Sequence, residues 1–133
     1  MKKAFTLTEV IIAIGVFGIG VLGVSGFFAT TSQTIKVGRF TSTASNLAQG
    51  VIDEELAQSY DALTVETGTK IRFSADSADP FYKYQKQVNI SYIDSNLNNS
   101  GTDLGMKKIE VFVYWQDGGT ERNVQMATIM TKK

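Results

Sequence analysis

The chain has no cysteine, no histidine and a single proline. Without cysteine there is no disulfide, no thiolate ligand and no thiol nucleophile; without histidine there is no imidazole ligand and no His-dependent triad or acid-base relay. Most hydrolase and metalloenzyme chemistries are excluded on these grounds, and no catalytic residue, cofactor or metal site is expected. Net charge is missing as well, because thirteen Lys and Arg balance thirteen Asp and Glu. Nothing then steers a nucleic acid to the surface, and none is expected as a partner. At 133 residues there is room for one small domain and not for a second, catalytic one.

Charge is also absent locally. Between Glu9 and Lys36 no residue is charged, and residues 10–29 read VIIAIGVFGIGVLGVSGFFA, with Ser25 as the only clearly polar member. A helix of that length covers roughly 30 Å, the thickness of a bilayer core. It would be apolar all round, which suits lipid better than the interior of a domain this small. Lys2 and Lys3 precede the run and the next basic residue is Lys36, so the sequence predicts a cytoplasmic N-terminus and an exported C-terminal part. A cleaved secretory signal fits poorly, since the run exceeds the usual h-region of about 7 to 15 residues and begins next to a carboxylate.

That carboxylate, Glu9, is costly at the edge of a spanning segment unless it has a partner or stays at the interface. Three readings stand. Thr6-Leu7-Thr8-Glu9 has the spacing of a helix capping box; Glu9 sits among lipid headgroups; or Glu9 awaits a partner. In the same helix Gly15, Gly18, Gly23 and Gly26 fall within an arc of about 140°, with Gly20 outside it. They form a small-residue face for close helix packing or reflect the ordinary glycine content of membrane helices; no pair has GxxxG spacing.

Lys2-Lys3-Ala4 followed by Phe5-Thr6-Leu7-Thr8-Glu9-Val10-Ile11-Ile12-Ala13-Ile14 closely resembles the class III leader of type IV pilins and type II secretion pseudopilins. The match combines a short basic leader, a small residue before an aromatic one, a carboxylate at the fifth position after the cut and an uninterrupted apolar helix. The resemblance implies cleavage between Ala4 and Phe5 by a membrane-bound prepilin peptidase, N-methylation of Phe5, and an assembly role for Glu9. In that role the Glu9 carboxylate pairs with the N-terminal amine of a neighbouring subunit, so that two charges costly in hydrocarbon neutralise each other. Ala4 stands where the family usually has glycine, and Gly26 where many major pilins carry a helix-kinking proline; the only proline here is Pro80.

Past the membrane run the pattern stays helical to about Leu63. Phe40, Ala44, Leu47, Ala48, Val51 and Ile52 share an arc of about 140°. The neighbouring carboxylates Asp53, Glu54 and Glu55 invite a cation, but adjacent helix positions point apart and a solvated face is the plainer reading. Thereafter the period changes to two. Tyr82, Tyr84, Val88, Ile90 and Tyr92, and then Ile109, Val111, Val113 and Trp115, alternate as strands do, and Asp117-Gly118-Gly119 offers a hairpin turn before a strand over 123–131. A weaker strand is expected at 70–74. The aromatic residues of these strands, with Phe112 and Tyr114, read as core and cross-strand packing rather than as a ligand surface. The segment 94–103, DSNLNNSGTD, reads as a loop; its oxygen-rich side chains suit calcium, but the glycine and terminal glutamate of an EF-hand loop are missing.

The expected fold is α+β: a leader over 1–4, a long N-terminal helix over 5–63 with its transmembrane part at about 10–29, and a head over 64–133. The head is a small antiparallel sheet of three or four strands packed on the amphipathic half of the helix, as in pilins. The expected function is that of a structural, non-enzymatic subunit, a minor pilin of a type IV pilus. Its expected partners are other pilin or pseudopilin subunits, the prepilin peptidase, an inner-membrane assembly platform and membrane lipid. It would wait in the bacterial inner membrane before joining a surface pilus or periplasmic pseudopilus. A type II secretion or competence pseudopilin is the nearest alternative, and a single-pass anchor for a ligand-binding domain is a second.

Overall fold

The computed structural model describes residues 6–132, except the side chains at 28–30, 32 and 33. One α-helix, α1, runs over Leu7–Leu56 and is followed by six strands: β1 (Glu66–Thr67), β2 (Ile71–Arg72), β3 (Gln85–Ile93), β4 (Asn99–Ser100), β5 (Met106–Asp117) and β6 (Thr120–Thr131). The chain divides into two units, one ending at Gly38 and the other running from Arg39 onward.

Among its described residues, the first unit is Thr6 and the N-terminal part of α1. Its stretch Leu7–Phe27 has a mean hydropathy of 2.4 and is 0% buried, so its apolar side chains find no protein core within the chain. Ser25 donates its hydroxyl to the Val21 carbonyl at 2.9 Å, and Thr31 does the same to Phe27 at 2.9 Å. Each hydroxyl is thus satisfied inside the helix, as an apolar solvent requires.

The second unit holds the head. Its sheet is antiparallel in the order β1-β3-β5-β6, with β2 and β4 also pairing β3. The frame is three long strands, β3, β5 and β6, and the other three have two residues each. The turn that joins β5 to β6 is Gly118-Gly119, both at positive φ (59° and 85°). Two left-handed residues in succession match the twist of a tight hairpin, and the register runs unbroken from Asp117↔Thr120 to Met106↔Thr131.

Alternation along β5 decides where the core lies. Ile109, Val111 and Val113 are 0% exposed, and they meet Ala44, Ala48, Val51 and Ile52 of α1 with Leu63, Tyr84, Ile90 and Trp115 in one cluster. Fully burying each of these β5 aliphatics is worth about 1.5–3 kcal/mol. The two alanines, four apart on one helix face, let the helix backbone approach the sheet closely.

Four boundaries differ from expectation, one of them the start of β6, which lies at Thr120 rather than at Asn123. The helix stops at Leu56, short of Leu63. Ala57 makes a last α-type bond to Asp53, Gln58 bonds back only three residues to Glu55, and Ala62 turns onto Ser59. The chain therefore winds off the helix with neither glycine nor proline to announce it. Tyr82 and Tyr84 lie ahead of β3 rather than in it. Asp79 and Pro80 open a turn in which the Asp79 carbonyl accepts from Tyr82 and its carboxylate from Phe81, so the strand starts at Gln85. The weak strand expected at 70–74 is β2, shortened to Ile71–Arg72.

Candidate functional site

The feature that sets this chain apart is the uncovered start of α1. Thr6 caps it: its hydroxyl oxygen accepts from the Glu9 amide at 3.3 Å, while its carbonyl accepts from Glu9 and Val10. Glu9 is therefore the third residue of the helix, its carboxylate beside the positive end of the helix dipole. The carboxylate itself has no hydrogen-bond or ion-pair partner among the described residues. Ala4 and Phe5, the expected processing pair, lie outside the described residues.

Below Glu9 the helix surface has two unlike sides. Glu9, Val10, Ala13, Ile14 and Phe17 line one shallow apolar hollow, and Phe17, Gly20, Val21, Val24 and Ser25 line the next. At about 100° per residue these positions lie opposite Gly15, Gly18, Gly23 and Gly26. A Cβ placed at Gly15, Gly18 or Gly23 would meet nothing within 4 Å. One carboxylate heading an apolar, uncovered helix can bind a cationic group in a low-dielectric setting.

The head gathers no comparable chemistry. Among the described residues, no three of Asp and Glu come together as a metal site. The carboxylates at 53–55 point apart as adjacent helix positions must. Asp53 accepts from Gln49 at 2.8 Å, Glu54 stands 3.7 Å from the Lys86 ammonium, and Glu55 accepts from Gln58 at 2.9 Å. Burial, then Glu54 beside it, pushes the Glu55 carboxyl above its ordinary value. In the loop after β3, Asp94 is occupied by the backbone of its own turn, accepting from the amides of Asn96 (2.8 Å) and Asn98 (2.9 Å). Those bonds hold its carboxyl below the usual range, the Asn98 bond contributing most. Asp103 accepts from the Tyr60 hydroxyl and the Gly105 amide.

On β5 the aromatic residues divide by strand parity, Trp115 facing the core and Phe112 and Tyr114 the other side. Tyr84 and Trp115 enter the core, their ring centroids 6.4 Å apart. Phe112 and Tyr114, on the other face of β5, stack at 6.2 Å, with the Lys70 ammonium 3.8 Å from the Tyr114 centroid. Tyr82 lies under the Arg72 guanidinium at 4.4 Å.

One consequential residue escaped sequence reasoning. Lys107 is 3% exposed, and its ammonium donates to the carbonyls of Tyr60 (2.7 Å) and Leu63 (2.6 Å). The signal was parity: Lys107 shares the inward phase of Ile109, Val111, Val113 and Trp115, so the β5 pattern points it inward despite its charge.

Comparison with protein families finds a match to the prokaryotic N-terminal methylation motif over residues 1–25. No curated protein and no solved structure matches the chain.

Proposed function

We propose that this chain, which carries at its N-terminus the methylation motif of the type IV pilin and pseudopilin family, is a minor pilin of a type IV pilus. The motif is that of a family of structural subunits, processed by prepilin peptidase and assembled with other pilin subunits. With the apolar α1 start, it marks a membrane-anchored, pilin-type protein. The carrying observation is the coincidence of two features. The matched segment, residues 1–25, overlaps nearly all of the helical stretch Leu7–Phe27, which is wholly unburied within the chain.

In this reading residues 1–4 are the leader, the peptidase cuts between Ala4 and Phe5, and Phe5 becomes the N-methylated first residue. The subunit waits in the inner membrane with its head exported, α1 held by lipid until an assembly platform moves it into the filament. There the Glu9 carboxylate receives the terminal amine of a neighbouring subunit, and each charge replaces the water the other has lost. A pseudopilin of a secretion or competence machine would share the leader and helix. Recovery of the assembled subunit from the cell surface favours the pilus, and its confinement to the envelope favours the pseudopilus.

The deciding experiment is the N-terminal mass of the protein from its native membrane, with prepilin peptidase present and deleted. The expected result is a peptidase-dependent product that begins at methylated Phe5. An intact Met1, or a cut after Ala29, overturns the reading and favours a membrane-anchored or secreted domain.

A further inference from the structure

We infer that the Lys107 ammonium is a built-in structural cation that locks the segment leaving α1, residues 57–63, onto β5, and that a small alkylammonium ion can take its place. Lys107 is buried, and no carboxylate forms an ion pair with it among the described residues. Its charge is met by the two carbonyl oxygens of Tyr60 and Leu63, by the Tyr60 ring 4.3 Å from the ammonium, and by the Tyr92 ring at 5.6 Å. Oxygen lone pairs and aromatic faces are the groups that replace water around an ammonium ion. Both carbonyls belong to the turn after α1, where the chain has left the helix and found no strand partner, so the lysine supplies donors that the backbone there lacks.

The lock reaches further through Tyr60. Its hydroxyl donates to Asp103, whose carboxylate also accepts from the Gly105 amide. The Gly105 carbonyl accepts from the Lys132 amide at 2.8 Å, and the Lys132 ammonium pairs with Asp61 at 3.1 Å. The helix exit, the loop ahead of β5 and the residue following β6 are thereby tied at one point, while the β3-β5-β6 ladder stands on its own backbone bonds.

The test uses the full chain in detergent and hydrogen exchange read by peptide. Lys107→Ala deletes three carbons and the ammonium, the atoms of n-propylammonium. Exchange at residues 57–63 is expected to quicken about tenfold or more, with the β5–β6 hairpin still protected. Added n-propylammonium is expected to restore protection, and the neutral isostere 1-propanol is not. Lys107→Met keeps the apolar stem and serves as the folded comparison, expected to loosen the same residues with the hairpin intact. Unchanged exchange at 57–63, equal rescue by 1-propanol, failure of n-propylammonium to rescue, or uniform loss of protection across the sheet in both variants would each overturn the inference.

Discussion

Tyr60 donates its phenolic hydrogen to the Asp103 carboxylate, joining the turn that leaves α1 to the loop ahead of β5. The bond shapes the acid-base behaviour of both residues. Burial first, and then the bond to Asp103, push the Tyr60 hydroxyl from 10.0 up to about 12. The same bond is the main reason the Asp103 carboxyl lies below its ordinary value. Because the folded state holds the Tyr60 proton more tightly than the unfolded chain does, this contribution to stability is fully present below pH 10 and is lost as pH rises toward about 12. For Asp103 the sign reverses: its contribution is present above 3.8 and fades as pH falls through the lowered folded value. Denaturation midpoints measured across the alkaline window are expected to fall in the native chain. In Tyr60→Phe the same curve is expected to be flatter.

A Cβ at Gly68 would overlap the Val88 carbonyl oxygen, the atom that accepts the Gly68 amide at 2.9 Å. The overlap is with backbone, which no side-chain rotation can relieve. Gly68→Ala is expected to cost about 1–3 kcal/mol, read by chemical denaturation, with loss of exchange protection at β1. Retention of both would show that the edge strand shifts at no cost.

Ala48 is 0% exposed where α1 meets the sheet. Ala48→Leu inserts three carbon atoms into that contact and is expected to destabilise the head by about 1–3 kcal/mol. A lowered Tm with unchanged membrane insertion is the expected pair of observations, since the substitution lies well beyond Leu7–Phe27.

Glu9 has no partner for its carboxylate among the described residues, and its amide is already capped by Thr6. Glu9→Gln keeps the shape and removes the charge. It is expected to leave insertion and head stability unchanged while recovery of the subunit in sheared filaments drops by about tenfold or more, the loss expected for one charge-assisted contact. Incorporation equal to the native chain would show that the charge takes no part in assembly.

Much of this was readable because side-chain period and burial coincide. Ile109, Val111, Val113 and Trp115 alternate without interruption and all four are buried; the helical arc from Phe40 to Ile52 lies in or against the same core. The N-terminal methylation motif was legible for a different reason, its residue types and spacing being specific before any folding occurs. Elements without a period were not. The two-residue strands β1 and β4 offer no alternation to read, and they form because β3 leaves edge groups to pair. Tyr82 and Tyr84 keep a two-residue spacing across a turn, where phase continues although pairing has not begun. The helix end at Leu56 depends on the winding of the turn that follows, and that turn's later carbonyls are claimed by Lys107, about fifty residues on in sequence. Lys107 itself obeyed the strand phase, and its charge concealed the fact.

Among the described residues, Phe40 is the first hydrophobic side chain to pack against the head's core. The stretch Leu7–Phe27 ahead of it is unburied within the chain and so carries no obligation to a core. Substitutions within Leu7–Phe27 answer to whatever surrounds that helix, and those at the buried positions from Ala44 onward answer first to folding. Inheritance can therefore vary the two stretches on separate schedules: a new head can be grafted behind the same anchor, or the anchor retuned for another machine, with neither change unravelling the other.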